Sequence, residues 1–143
     1  VSRVDFYVLS DTAPDAAWRY ACRLIEKAVE LQNRVFVRVA HSGDAARLDE
    51  MLWTFSDRSF LAHEIWSGGE PPHPLVKVLV GEGPAPESHR QVLVNLSGAV
   101  PEDFASFERV AEIVDADPER RRQSRDRYKQ YRERGCTLET HNL

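Results

Sequence analysis

Hydrophobic and polar positions follow two rhythms along the chain. Val4 to Leu9 is a short, largely apolar, β-prone run, as expected of a strand covered on both faces. Thr12 is predicted to cap the helix that follows, with Pro14 in its first turn. Trp18, Ala21, Cys22, Ile25, Ala28 and Val29 then recur at three- and four-residue steps, while Arg19, Arg23, Glu26, Lys27 and Glu30 occupy the other faces. Val35 to Ala40 is a second strand, and a strand–helix–strand unit of this length predicts a parallel pair with a right-handed crossover. A second helix runs from about Ser42 to Thr54, with Ala45, Leu48, Met51, Leu52 and Phe55 as its core stripe.

Shorter elements follow. Phe60 to Ile65 reads as a short strand, and Trp66 to Pro74, with two glycines and three prolines, as a loop. Leu75 to Val80, Gln91 to Leu96 and Arg109 to Val114 read as further strands, with a short helix over Asp103 to Phe107. A last helix starts at Asp117-Pro118, cap and first residue, and stops at Gly135. Alternating strands and helices predict an α/β fold: one three-layer, Rossmann-like domain over residues 1–143 around a largely parallel central sheet.

Composition narrows the class. The 143 residues are 42% apolar and 29% charged, which suits one folded domain rather than a disordered chain. The sequence contains no apolar run approaching the roughly 20 residues of a membrane span, and its opening residues read as a strand rather than a secretory signal. Cys22 and Cys136, far apart, suggest a reduced, cytoplasmic protein without a disulfide framework. Charge is uneven. Residues 117–134 hold eight Arg and Lys against four Asp and Glu, a local +4, which leaves −8 on the rest of a chain whose net charge is −4. An acidic body with one basic end disfavours broad nucleic-acid binding and favours a small acidic ligand.

Signatures of catalysis are missing. The first strand–helix turn, Ser10-Asp11-Thr12-Ala13-Pro14, has no glycine to admit a pyrophosphate, and Gly81-Glu82-Gly83 is only a fragment of a phosphate loop. The five histidines show neither helical pairing with carboxylates nor nearby cysteines, so no metal or other cofactor is expected. Ser97-Gly98 lacks a nucleophile elbow, and the adjacent Asp49 and Glu50 point about 100° apart, as on a solvated helix face.

Two constellations stand out instead. With Arg121 at 0° on the last helix, Arg125 falls at about 40°, Tyr128 at about 340°, Lys129 at about 80° and Arg132 at about 20°. Four cations thus gather around a phenol ring on a helix with almost no apolar stripe, an arrangement suited to an acidic peptide with an aromatic anchor. A merely solvated helix is the alternative. On the second helix Trp53 lies about 140° from Leu48, off the buried stripe, which makes it either a partner anchor or a residue packed under the next loop; Phe60 is placed to share its patch.

These residues carry a resemblance. Asp5-Phe6-Tyr7-Val8-Leu9, Arg47-Leu48-Asp49-Glu50-Met51-Leu52-Trp53, Ser59-Phe60-Leu61-Ala62-His63, Val92 to Leu96, Phe104 to Val114 and Arg127-Tyr128-Lys129-Gln130-Tyr131-Arg132 together resemble the chi subunit of bacterial DNA polymerase III holoenzyme, along the whole chain. The combination of RLDxxLW, SFxxH and RYKxYR is what makes the match specific. It implies a non-catalytic, Rossmann-like replication subunit that binds the psi subunit, and through psi the clamp-loader complex. At a separate site it implies capture of the acidic C-terminal tail of single-stranded DNA-binding protein (SSB). The tail site carries over to Arg125, Tyr128 and Lys129, with Val114 implied to line the pocket for the tail's terminal Phe; Arg121 and Arg132 join them from the helical geometry. The psi-facing surface carries over to Trp53 and Phe60. Contact with DNA is expected only indirectly or weakly. Two rivals are a nucleotide-binding enzyme on the same fold and a direct single-stranded-DNA binder using the last helix.

Overall fold

The computed structural model describes residues 2–55 and 61–143. Among these residues seven strands and three α-helices follow in the order β1 (Arg3–Val8), α1 (Ala16–Glu30), β2 (Val35–Arg38), α2 (Ser42–Thr54), β3 (His63–Ile65), β4 (Val78–Gly81), β5 (Val92–Asn95), β6 (Arg109–Val114), α3 (Pro118–Glu133) and β7 (Thr137–Asn142). The strands form one all-parallel sheet in the order β3-β4-β2-β5-β6-β1-β7.

The central strands β2, β4 and β5 are buried at every position, because helices or loops cover both faces of the sheet. Side-chain alternation sorts the core into two halves. Val35, Val37, Val78, Val80, Val92, Val94 and Ile113 meet Ala21, Cys22 and Ile25 of α1 and Ala45, Leu48 and Leu52 of α2. On the opposite face Val4, Phe6, Phe36, Leu79, Leu93, Val110 and Val114 meet Phe104, Phe107 and Tyr131, the last from α3. These three layers are the α/β architecture expected from the alternating pattern.

Three local expectations change. β1 and β2 are not neighbours: β6 and β5 lie between them. The 15-residue α1, roughly 22 Å long, has the reach to carry the chain across two strands at ~4.8 Å each, and periodicity says nothing about how many it crosses. Thr12 does not cap α1. The Asp11 carboxylate accepts the Ala13 N–H at 2.9 Å in a turn ahead of the helix, so Asp15 takes the cap position and Pro14 precedes the first turn. Finally, the chain ends in a strand. β7 pairs with β1 over its full length and forms one edge of the sheet; its Thr-Leu-Glu-Thr-His-Asn sequence is mostly exposed.

The last helix starts as its sequence suggests. Asp117 accepts the Arg120 N–H at 3.0 Å, Pro118 is the first helical residue, and Gly135 ends the segment at φ +79°. Gly81 is required at its place for a different reason, since a Cβ there would stand 2.5 Å from the Trp66 carbonyl oxygen.

Candidate functional site

α3 has a buried face after all, but a polar one. Ser124, Arg127 and Tyr131 point inward. Arg127 Nε donates to Glu112 Oε1 at 3.1 Å, its Nη1 to the Gly98 carbonyl at 3.1 Å and its Nη2 to Ser124 Oγ at 3.0 Å. Tyr131 Oη and Asn95 Nδ2 each donate to Glu112 Oε2 at 2.7 Å. Burial pushes the Glu112 carboxyl above its ordinary range, while Arg127 and the hydrogen bonds from Asn95 and Tyr131 oppose it. Sequence reasoning missed this group because a buried Arg, Tyr and Glu have no apolar signature; the i, i+3, i+7 spacing of Ser124, Arg127 and Tyr131 is the one signal that was present.

With that face fixed, the neighbouring side of α3 borders a hollow of about 240 Å³. Phe6 and Val8 of β1, Val114 of β6 and Thr140 of β7 line it, together with Arg121, Ser124, Arg125 and Tyr128 of α3. The Tyr128 ring packs on Phe6 with centroids 5.2 Å apart. Of the six residues expected at a tail site, Val114, Arg121, Arg125 and Tyr128 share this hollow. Lys129 and Arg132 are exposed on α3 outside its lining. Lys129 is turned further around the helix, and Arg132 sits about two turns beyond Arg125.

Ion pairing divides the cations of α3. Arg120 pairs with Asp115, Arg122 with Glu119 and Asp126, and Arg127 with Glu112. Arg121 is held by backbone carbonyls instead, Nε to Asp115 O at 2.9 Å and Nη2 to Leu9 O at 2.7 Å, which fixes its guanidinium at the hollow. Among the described residues, Arg125, Lys129 and Arg132 form no ion pair with a carboxylate. Their positive charge remains available to an outside anion.

Trp53 lies elsewhere, on α2 and 55% exposed, with its ring 4.7 Å from that of His63. The His63 imidazole contacts Asp49 and the Leu61 carbonyl, so Asp49 is engaged rather than simply solvated. Phe60, expected beside Trp53, lies outside the described residues.

Among the described residues one trio, Asp5, Glu139 and His141, brings potential metal-ligand atoms within 4.8 Å of one another. Its charges are already matched. The Arg3 guanidinium bridges Asp5 and Glu139, Arg109 reaches Asp5 at 3.0 Å, and His141 reaches it at 2.9 Å. Burial raises the Asp5 pKa, but the hydrogen bonds from His141, Arg109 and Arg3 outweigh it and hold the carboxyl below its ordinary value. The trio ties β7 to β1. No helix among the described residues is long and apolar enough to cross a membrane.

Comparison with known proteins identifies the family. The family model described as DNA polymerase III chi subunit, HolC, matches residues 1–139. The DNA polymerase III subunit chi of Pseudomonas aeruginosa is 37% identical over 144 residues, covering 100% of this chain and 98% of that protein. That of Haemophilus influenzae is 28% identical, covering 96% and 95%, and that of Escherichia coli 29% identical, covering 94% of both. A solved structure, that of T4 UvsW, superposes on 98% of this chain with a TM-score of 0.63 and 9% identity. The chain spans 41% of that protein, and the likeness concerns the fold alone. On this evidence the chain belongs to the DNA polymerase III chi subunit family, whose members are accessory subunits in DNA replication.

Proposed function

We propose that this accessory subunit is a non-catalytic adaptor with two docking faces. The hollow beside α3 takes the acidic C-terminal tail of SSB, and the Trp53 face holds the psi subunit, which joins it to the clamp-loader complex. The observation that carries the first assignment is the combination of an apolar floor (Phe6, Val8, Val114), an aromatic wall (Tyr128) and two guanidiniums at one 240 Å³ hollow. An acidic peptide ending in an aromatic residue needs these features together. Exposure of Trp53 supports the second assignment, since tryptophan is enriched among interface anchors.

The energetics fit a reversible contact. Burying one Phe side chain contributes about 1.5–3 kcal/mol, and each charge-assisted hydrogen bond to its carboxylate roughly 1.5–3 kcal/mol. Offset by the cost of association, gains of this size fit a reversible complex, for which a micromolar Kd corresponds to about −8 kcal/mol. Direct capture of single-stranded DNA by Arg121, Arg125, Tyr128 and Lys129 is less well supported, because pairing of Arg120, Arg122 and Arg127 leaves only that one short basic face on α3.

Calorimetric titration with a synthetic SSB tail tests the reading. Micromolar binding is expected without DNA, most of it lost when the terminal Phe is deleted. Arg125→Glu or Lys129→Glu should abolish tail binding and leave psi binding intact; loss of both would indicate misfolding and withdraw the support. Trp53→Ala should weaken psi binding and spare the tail, and an unchanged psi affinity would overturn the second assignment.

A further inference from the structure

A second hollow, of about 260 Å³, opens between the helical layers at the carboxyl ends of β5 and β6. It shares only Ser124 with the hollow assigned to the tail. Trp18 of α1, Arg47 of α2, Asn95 of β5 and Arg120, Gln123 and Arg127 of α3 contribute its polar and aromatic lining. In a parallel α/β sheet, ligands bind outside the carboxyl ends of the strands, where connections depart to opposite faces. Here the connections that leave β5 and β6 go to the α3 face, and those of the flanking strands β2 and β1 go to the other. α1 and α2 pack on one face of the sheet and α3 on the other.

The charges of the lining select the ligand. Three guanidiniums face one lining carboxylate, Asp115. Arg127 is satisfied by Glu112, Gly98 and Ser124 within the protein, and Arg120 spends its Nε on Asp115. Arg47 differs. Its guanidinium lies 4.8 Å from the Trp18 ring centroid, and among the described residues it forms no ion pair. The Asn95 carboxamide is spent on Glu112 and Ala99, but a surplus guanidinium, a second one half-engaged beside it and the Gln123 carboxamide on the wall are complementary to a compact oxyanion.

We propose that this crevice binds a single phosphate group, free or as the monoester of a nucleotide, through Arg47 and Arg120 with the Gln123 amide. The glycine-free turn Ser10 to Pro14 argues against a di- or triphosphate, which requires close backbone approach. A single phosphate gripped by side chains does not. The site shares Ser124 alone with the tail hollow, and Trp53 is not among its lining.

Nitrogen-15 NMR titration of the whole chain with inorganic phosphate and with adenosine monophosphate tests it. Saturable shifts at the Trp18 indole and at the Gln123 side-chain amide are expected, with half-saturation at ~1–10 mM. Equal affinity for both probes assigns the free oxyanion, and an at least tenfold preference for the nucleotide assigns the monoester. Arg47→Gln should weaken binding at least fivefold while leaving SSB-tail affinity unchanged. Should Arg47→Gln disturb Trp18, Arg120→Gln gives the same reading from the other wall. Shifts that fail to saturate, that spread over Arg125, Lys129 and Arg132, or that survive both substitutions would overturn the proposal.

Discussion

Glu112 is the residue on which the inner face of α3 depends. It accepts from Asn95, Arg127 and Tyr131 at full burial, so substitutions around it should rank by what they strand. Tyr131→Phe removes one donor and should cost about 1–3 kcal/mol. Glu112→Ala leaves the Arg127 guanidinium, itself 7% exposed, without its carboxylate and should cost about 3–5 kcal/mol. Urea denaturation of both variants checks the order, and a larger loss for Tyr131→Phe would contradict it. His89 makes a separate, pH-dependent contribution. Its imidazole is fully buried, Nε2 donates to the Val76 carbonyl at 2.7 Å, and Nδ1 meets Ser88 Oγ at 2.7 Å. Burial pushes its pKa below the ordinary histidine value. The neutral form is therefore favoured in the fold, and stability present above about pH 6.5 should decline as pH falls from there through the lower folded-state pKa, because the unfolded chain takes up the proton first. The slope of stability against pH across that window should flatten in His89→Gln.

At the scale of elements, α3 is held by its ends as much as by its sides. Asp117→Ala removes the carboxylate that receives the Arg120 N–H and should cost about 0.5–2 kcal/mol. Gly135→Ala forces a side chain into φ +79°, at roughly 1–2 kcal/mol. Thermal melts of both report on stability, and the tail hollow provides a second readout. Because α3 supplies Arg121, Arg125 and Tyr128 to that hollow, loosening either end should also lower tail affinity; unchanged affinity in a clearly destabilised variant would show that the hollow does not depend on helix register. β7 matters in the same way, since Thr140 lines the hollow while Glu139 and His141 fasten the strand to Arg3 and Asp5.

For the whole molecule, charge segregation governs encounter. A chain of net charge −4 carries a local +4 over residues 117–134, and the internal pairs of α3 neutralise Arg120, Arg122 and Arg127, which do not line the hollow. The remaining Arg125, Lys129 and Arg132 are exposed, where salt screens them over about 10 Å at 0.1 M. Tail affinity should therefore fall roughly five- to tenfold from low to high salt. Affinity at the Trp53 face, resting on an exposed aromatic surface, should change much less. Parallel titrations of the tail and of psi across ionic strength separate the two.

Much of the plan is written locally. The apolar runs Val35 to Val37 and Val92 to Val94 identify buried parallel strands because no face is left for water. Asp117-Pro118 and Gly135 delimit α3 because capping chemistry acts within a turn. The helical spacing of Arg121, Arg125 and Tyr128 placed them on one side because 100° per residue is a property of the backbone. Tertiary structure decided the rest. Which strands are neighbours, and hence that Phe6, Val8 and Thr140 complete the hollow, follows from non-local pairing of β1 with β6 and β7. The pairing of Arg122 with Glu119 and Asp126 is between helix neighbours, but the engagement of Arg127 follows from where Glu112 of β6 arrives in space. Separation along the chain carries no record of that arrival, since ion pairs and sheet neighbours are set by the packing of whole elements.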